Sequence, residues 1–147
     1  MAKILVIDDN APLLDMLRLV LRAEGHEVGT AADGPAGLRL AESTRFDLAL
    51  IDVDMPGLDG IAVCKSLRDN PATRNMRVLM MTGRPGLEVD VRSRCAGAAV
   101  VLSKPFLGSA VIEEIARFAG MASAHPDGGG ENGHERDKKS RARRTLA

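Results

Sequence analysis

Aromatic residues are almost missing: the 147 residues include three Phe and neither Tyr nor Trp. A core must therefore be aliphatic, built from Leu, Val, Ile, Ala and Met. The same scarcity argues against RNA recognition by stacking bases on aromatic platforms. An excess of one charge is missing too. Twenty Lys and Arg balance 20 Asp and Glu, so the whole chain gives no electrostatic case for binding nucleic acid. Cysteine is scarce: Cys64 and Cys95 lie in helix-like segments, without CxxC spacing or an accompanying His. That pattern supports neither a disulfide framework nor a zinc site, and buried free thiols in a reducing compartment are expected. No apolar run approaches membrane-spanning length. The N-terminal run, residues 4–7, is too short for a signal peptide and ends in two acids. A cytoplasmic location follows as the expectation.

What is present is a regular alternation. Residues 3–7 (KILVI) form a continuous β-branched run suited to a strand buried on both faces. Asp8-Asp9-Asn10 follows, with Asn10 or Asp9 as a helix cap and Pro12 in the first turn. Leu13, Leu14, Leu17 and Leu21 then recur at helical spacing up to Ala23, before a closing Gly25. Residues 26–31 read as a weaker strand, and Asp33-Gly34 as the cap and start of a second helix. Residues 46–51 are a second buried run. A third helix is expected from Asp59 or Gly60 to about Arg68, broken by Asn70-Pro71. Strands at 78–81 and 99–102 flank a short polar helix at 87–95. A last helix is expected at 107–118. Five strands alternating with five helices argue for an α/β fold, a doubly wound parallel sheet with helices on both faces.

The stretch FDLALIDVDMPGLDG, residues 46–60, is the centre of this arrangement. An apolar run stops at Asp52, and packing alone asks for no charge there. In open parallel sheets ligands bind beyond the carboxyl ends of the strands. Asp8 and Asp9 follow the first strand, Asp52 the third, Thr82 the fourth and Lys104 the fifth, so four distant segments converge on one crevice. Three carboxylates in one place repel and favour a divalent cation, and an all-oxygen hard site suits Mg²⁺. Lys104 adds a fixed positive charge and Thr82 a hydroxyl donor. Together they make a cradle for a phosphoryl group, with Asp52 placed to attack in line. Asp33 and Asp59 read as cap or turn residues, Met80 and Met81 as core filler, and His26, His125 and His134 as surface or tail residues without ligand spacing.

These residues resemble the receiver domain of two-component response regulators. The matching positions are Asp8-Asp9, Asp52 in IDVDMPGLDG, Thr82-Gly83 and Lys104-Pro105-Phe106, in that order and at about that spacing. The resemblance covers roughly residues 3–118. It implies a flavodoxin-like sheet of order 2-1-3-4-5. It further implies that a sensor histidine kinase or a histidine phosphotransfer protein phosphorylates Asp52, and that an unidentified downstream protein reads the result. Asp9 and Asp52 would bind Mg²⁺ directly, Asp8 would assist, often through water, and the backbone carbonyl of Asp54 would be a further ligand. The Lys104-Pro105 peptide bond is typically cis in this family. Membrane attachment is not implied, and dimerisation is left open.

Two departures stand out. The family usually carries Tyr or Phe where this chain has Val101, which cannot present a ring to a partner, so the usual conformational readout is in doubt. The positions two after the acceptor and two after Thr82 tune hydrolysis in the family. Here they are Asp54 and Arg84, whose opposite charges are expected to pair across the mouth of the site and obstruct the attacking water. Residues 1–120 are read as the receiver. Residues 121–147 are read as a flexible tail, with Gly128-Gly129-Gly130 followed by a basic cluster at Lys138, Lys139, Arg141, Arg143 and Arg144. The tail reads first as a solvated segment aiding solubility; the alternative is an electrostatic arm, the one part of the chain through which nucleic acid or another acidic partner would be met. Two alternatives remain. Asp52-Val53-Asp54 resembles the DxD of haloacid dehalogenase-type phosphohydrolases, although there the DxD opens the first strand and the acidic pair comes last. A degenerate receiver would bind partners without phosphorylation.

Overall fold

The computed structural model describes residues 1–104 and 108–123. Its elements run β1 (Lys3–Ile7), α1 (Ala11–Ala23), β2 (Glu27–Ala31), α2 (Gly34–Ser43), β3 (Leu48–Asp52), α3 (Gly60–Asp69), β4 (Arg77–Thr82), α4 (Leu87–Cys95), β5 (Val100–Ser103) and α5 (Gly108–Ser123). The five strands form one sheet in the order β2-β1-β3-β4-β5, and every pairing is parallel. Architecture and strand order are those expected.

Successive strand residues point to opposite faces, and here each face has its own core. Ile4 and Val6 of β1, Leu48 and Leu50 of β3, and Leu79 and Met81 of β4 pack with the inner faces of α1 and α5. Leu5, Ile7, Ala49, Ile51, Val78 and Met80 pack on the other side with residues of α2 and α3. Both faces being covered explains the unbroken apolar runs. The core is aliphatic as expected; among the described residues Phe118 and Phe46 are its buried aromatics, and Met80 and Met81 are fully enclosed.

The helix starts follow their sequence signals. Asn10, Asp33 and Asp59 cap α1, α2 and α3, accepting from the backbone N–H of Leu13, Ala36 and Ala62 at 3.1, 2.8 and 2.9 Å. Gly60 is required on steric grounds: a Cβ there would overlap the Asp52 carbonyl. The close approach seats the start of α3 directly under the end of β3.

Several expectations need correction. β3 begins at Leu48 rather than Phe46 and takes in Asp52, because ladder pairing rather than apolarity sets its ends. Cys64 is buried but Cys95 is exposed: α4 is polar, and Ser93 is its one buried residue. His26 is half-buried and structural, its Nδ1 accepting from the Ala2 N–H at 3.0 Å. Desolvation, then the nearby N-terminal charge, push its pKa down. α5 continues to Ser123, beyond Phe118, where the apolar pattern ends. Pro105, Phe106, His125, His134 and the basic cluster lie outside the described residues, as does the expected cis peptide.

Candidate functional site

The parallel register brings the candidate residues to one edge. Ile7 pairs with Ile51 and Asp52 with Met81, and Thr82 pairs with Ser103. Asp8, Asp52, Thr82 and Lys104 therefore lie at or one residue past the carboxyl ends of β1, β3, β4 and β5. The Lys104 N–H donates to the Thr82 carbonyl at 2.6 Å, which carries the ladder one step further and fixes where the Lys104 side chain starts.

Asp8, Asp52 and Thr82 are buried, whereas Asp9 is exposed. Carboxylate oxygens of Asp8, Asp9 and Asp52 lie within 4.8 Å of one another. Lys104 joins two of the acids, with Nζ at 2.7 Å from Asp8 Oδ2 and 3.2 Å from Asp52 Oδ1. The second Asp8 oxygen, Oδ1, accepts from the Asn10 N–H at 2.9 Å. Asp8 is thus held on both oxygens, while Asp9 is open to solvent. The Asp54 N–H approaches Asp52 Oδ1 at 3.3 Å.

The electrostatics follow from burial. Removal from water, then repulsion from Asp8, raise the Asp52 carboxyl to about 6, against the partial relief that Lys104 gives. Burial works to lower the Lys104 pKa, but the hydrogen bond and charge of Asp8, then those of Asp52, outweigh it and the net shift is upward. Lys104 is therefore a fixed cation, and the acids form a concentrated site of negative charge with too little compensation. Such a site suits a hard divalent cation with oxygen ligands. The donor set fits Mg²⁺: all its side-chain atoms are carboxylate oxygens, and one acid faces solvent.

Residues 4–116 match the family described as the response regulator receiver domain. The chain belongs to this family. Among relatives, the response regulator PleD of Caulobacter vibrioides is 38% identical over 122 residues, covering 83% of this chain and 26% of PleD. The DNA-binding response regulator MtrA of Mycobacterium tuberculosis is 34% identical over 113 residues, covering 77% of this chain and 48% of MtrA. The chain thus spans a quarter to a half of the length of these relatives. Among solved structures, the chemotaxis protein CheY4 of Vibrio cholerae superposes with a TM-score of 0.77 at 33% identity, covering 80% of this chain and 98% of CheY4. A CheY-like receiver domain protein of Methanospirillum hungatei gives a TM-score of 0.79 at 31% identity, covering 84% of this chain and 98% of that one.

Within the receiver site, four of the expected side chains share direct geometry: Asp8, Asp9, Asp52 and Lys104. Thr82 stands apart from them. Its hydroxyl donates to Asp54 Oδ2 at 3.1 Å and accepts from the Arg84 N–H at 3.0 Å. The expected pair across the mouth is present, with Arg84 Nη2 3.5 Å from Asp54 Oδ1 and the Arg84 side chain 85% exposed. Val101 is partly buried beside the α2–α3 core. The sequence expectation missed the Asp54 carboxylate as a partner of Thr82; the missed signal was the acid itself, counted only for its carbonyl and its charge. Among the described residues no helix is long and apolar enough to cross a membrane.

Proposed function

We propose that this receiver is a phosphoacceptor module, modified on Asp52 by a sensor histidine kinase or a histidine phosphotransfer protein. The observation that carries the reading is the buried Asp52 carboxylate, gathered with Asp8 and Asp9 and bridged by Lys104. An Asp52 oxygen attacks phosphorus in line. An O–P bond forms as the P–N bond of phosphohistidine breaks, and the imidazole leaves with its electron pair and is protonated. Lys104 neutralises charge on the transferred group, and the Thr82 hydroxyl donates to one of its oxygens. Asp9 and Asp52 would hold Mg²⁺, with Asp8 assisting and the Asp54 carbonyl as a further oxygen. The bound ion would screen the phosphoryl charge from the acids.

The module acts by binding a downstream protein that distinguishes the charged from the uncharged form. With Val101 in place of an aromatic, that readout does not run through a rotating ring. A cytoplasmic setting suits this role. The family match and the strand order speak against the DxD phosphohydrolase reading, in which the chain would turn over small phosphomonoesters.

The test is chemical. After treatment with acetyl phosphate and Mg²⁺, the incorporated phosphoryl group should be released by neutral hydroxylamine, as an acyl phosphate is. Resistance to hydroxylamine would place the group on a hydroxyl and contradict the assignment to Asp52.

A further inference from the structure

Thr82 has one hydroxyl proton, and in this chain it is already committed. It goes to Asp54 Oδ2 at 3.1 Å. The Arg84 N–H donates to the same hydroxyl oxygen at 3.0 Å, and the Arg84 guanidinium lies 3.5 Å from the other Asp54 oxygen. The three residues close a ring: Asp54 to Thr82, Thr82 to Arg84, Arg84 to Asp54. Thr82 is fully buried and the Asp54 carboxylate is one-third exposed, so the O–H···O⁻ bond is both charge-assisted and partly shielded from water. One proton cannot serve Asp54 and a phosphoryl oxygen on Asp52 together.

We propose that Asp54 is a positioning residue whose carboxylate latches the Thr82 hydroxyl in the resting chain, so that charging Asp52 requires the Thr82–Asp54 bond to be given up. This inference rests on reading Asp52 as the acceptor and adds a brake to it. The latch favours the uncharged form and makes the charged form easier to reverse. It acts through Thr82, which separates it from simple repulsion between the Asp54 carboxylate and an incoming anion.

The separating experiment is a double-mutant cycle read by affinity for beryllium fluoride, an unreactive mimic of the phosphoryl group, with Mg²⁺ saturating for each protein. Wild type, Asp54→Ala, Thr82→Val and the double variant are titrated by NMR. Asp54→Ala should bind about tenfold more tightly than wild type, the scale of one charge-assisted hydrogen bond released. Asp54→Asn, which keeps an acceptor without the charge, should gain less. In the Thr82→Val background the Asp54→Ala gain should vanish, because no hydroxyl remains to be freed. An equal gain in both backgrounds would leave only charge repulsion and overturn the latch, as would no gain in either. Failure of the wild type to bind the mimic would overturn the acceptor reading and the latch with it. The two failures are distinct, since a failed latch leaves wild-type binding intact.

Discussion

At Asp52 the proposed acceptor role and stability oppose each other. The folded state holds its carboxyl at about 6, chiefly by desolvation and then by the Asp8 charge. An unfolded chain releases that proton near the ordinary carboxylate value of about 3.9. Between those values the native state binds more protons than the unfolded one, so stability falls as pH rises through the window and the loss is complete above it. Removing the charge should remove the loss. Without Mg²⁺, Asp52→Asn is expected to be more stable than wild type by about 1–3 kcal/mol at about pH 8. The gain should shrink to nothing by about pH 4. Urea denaturation at the two pH values measures it, and a gain independent of pH would contradict the electrostatic account. Arg84 supplies a second residue-scale test. Its guanidinium lies 3.5 Å from Asp54 Oδ1; if that pair obstructs the attacking water, Arg84→Ala should shorten the lifetime of the phosphorylated form several-fold. An unchanged decay rate would show that the pair does not obstruct water.

At the scale of elements, what the sequence revealed depended on what each segment buries. β1 and β3 are covered on both faces, so their apolar runs announced them, and the acids that ended those runs marked the site. Asp33 and Asp59 were legible as cap or turn residues, and Asn10 as one of two candidate caps beside Asp9, because capping is local chemistry. α4 was legible as a helix, but its facing was not. With Ser93 alone buried and Leu87 and Val91 exposed, it has no apolar stripe to orient it, and Cys95 fell on the solvent side. His26 and the Thr82–Asp54 bond depend on partners 24 and 28 residues away, which periodicity does not report. The charge pair of Asp54 and Arg84 was readable because sign and position sufficed. The junction of β3 and α3 carries the sharpest packing demand. Gly60→Ala would drive a methyl into the Asp52 carbonyl and should destabilise the fold by about 1–3 kcal/mol. It should also disturb the geometry of Asp52, so that phosphorylation slows along with the drop in stability. Wild-type stability and phosphorylation rate in that variant would contradict the close approach.

At the scale of the whole molecule, the sheet is a device for bringing distant residues together. Asp8 and Lys104 are 96 positions apart and meet at 2.7 Å, because parallel strands put every carboxyl end on one edge. The helices on both faces bury the central strands beneath that edge, β3 along its whole length. The same receiver unit occurs in relatives two to four times longer than the part this chain matches. The lack of Trp and Tyr removes the intrinsic fluorescence signal that would otherwise report on the site, so mass is the direct observable. The decisive measurement is intact mass after incubation with acetyl phosphate and Mg²⁺, for wild type beside Asp52→Asn. The account predicts a gain of one phosphoryl group by the wild type, no gain by the variant, and loss of the gain when a chelator removes Mg²⁺. A wild type that gains nothing while still binding Mg²⁺ would contradict it, and would make the chain a receiver that binds its partners without phosphorylation.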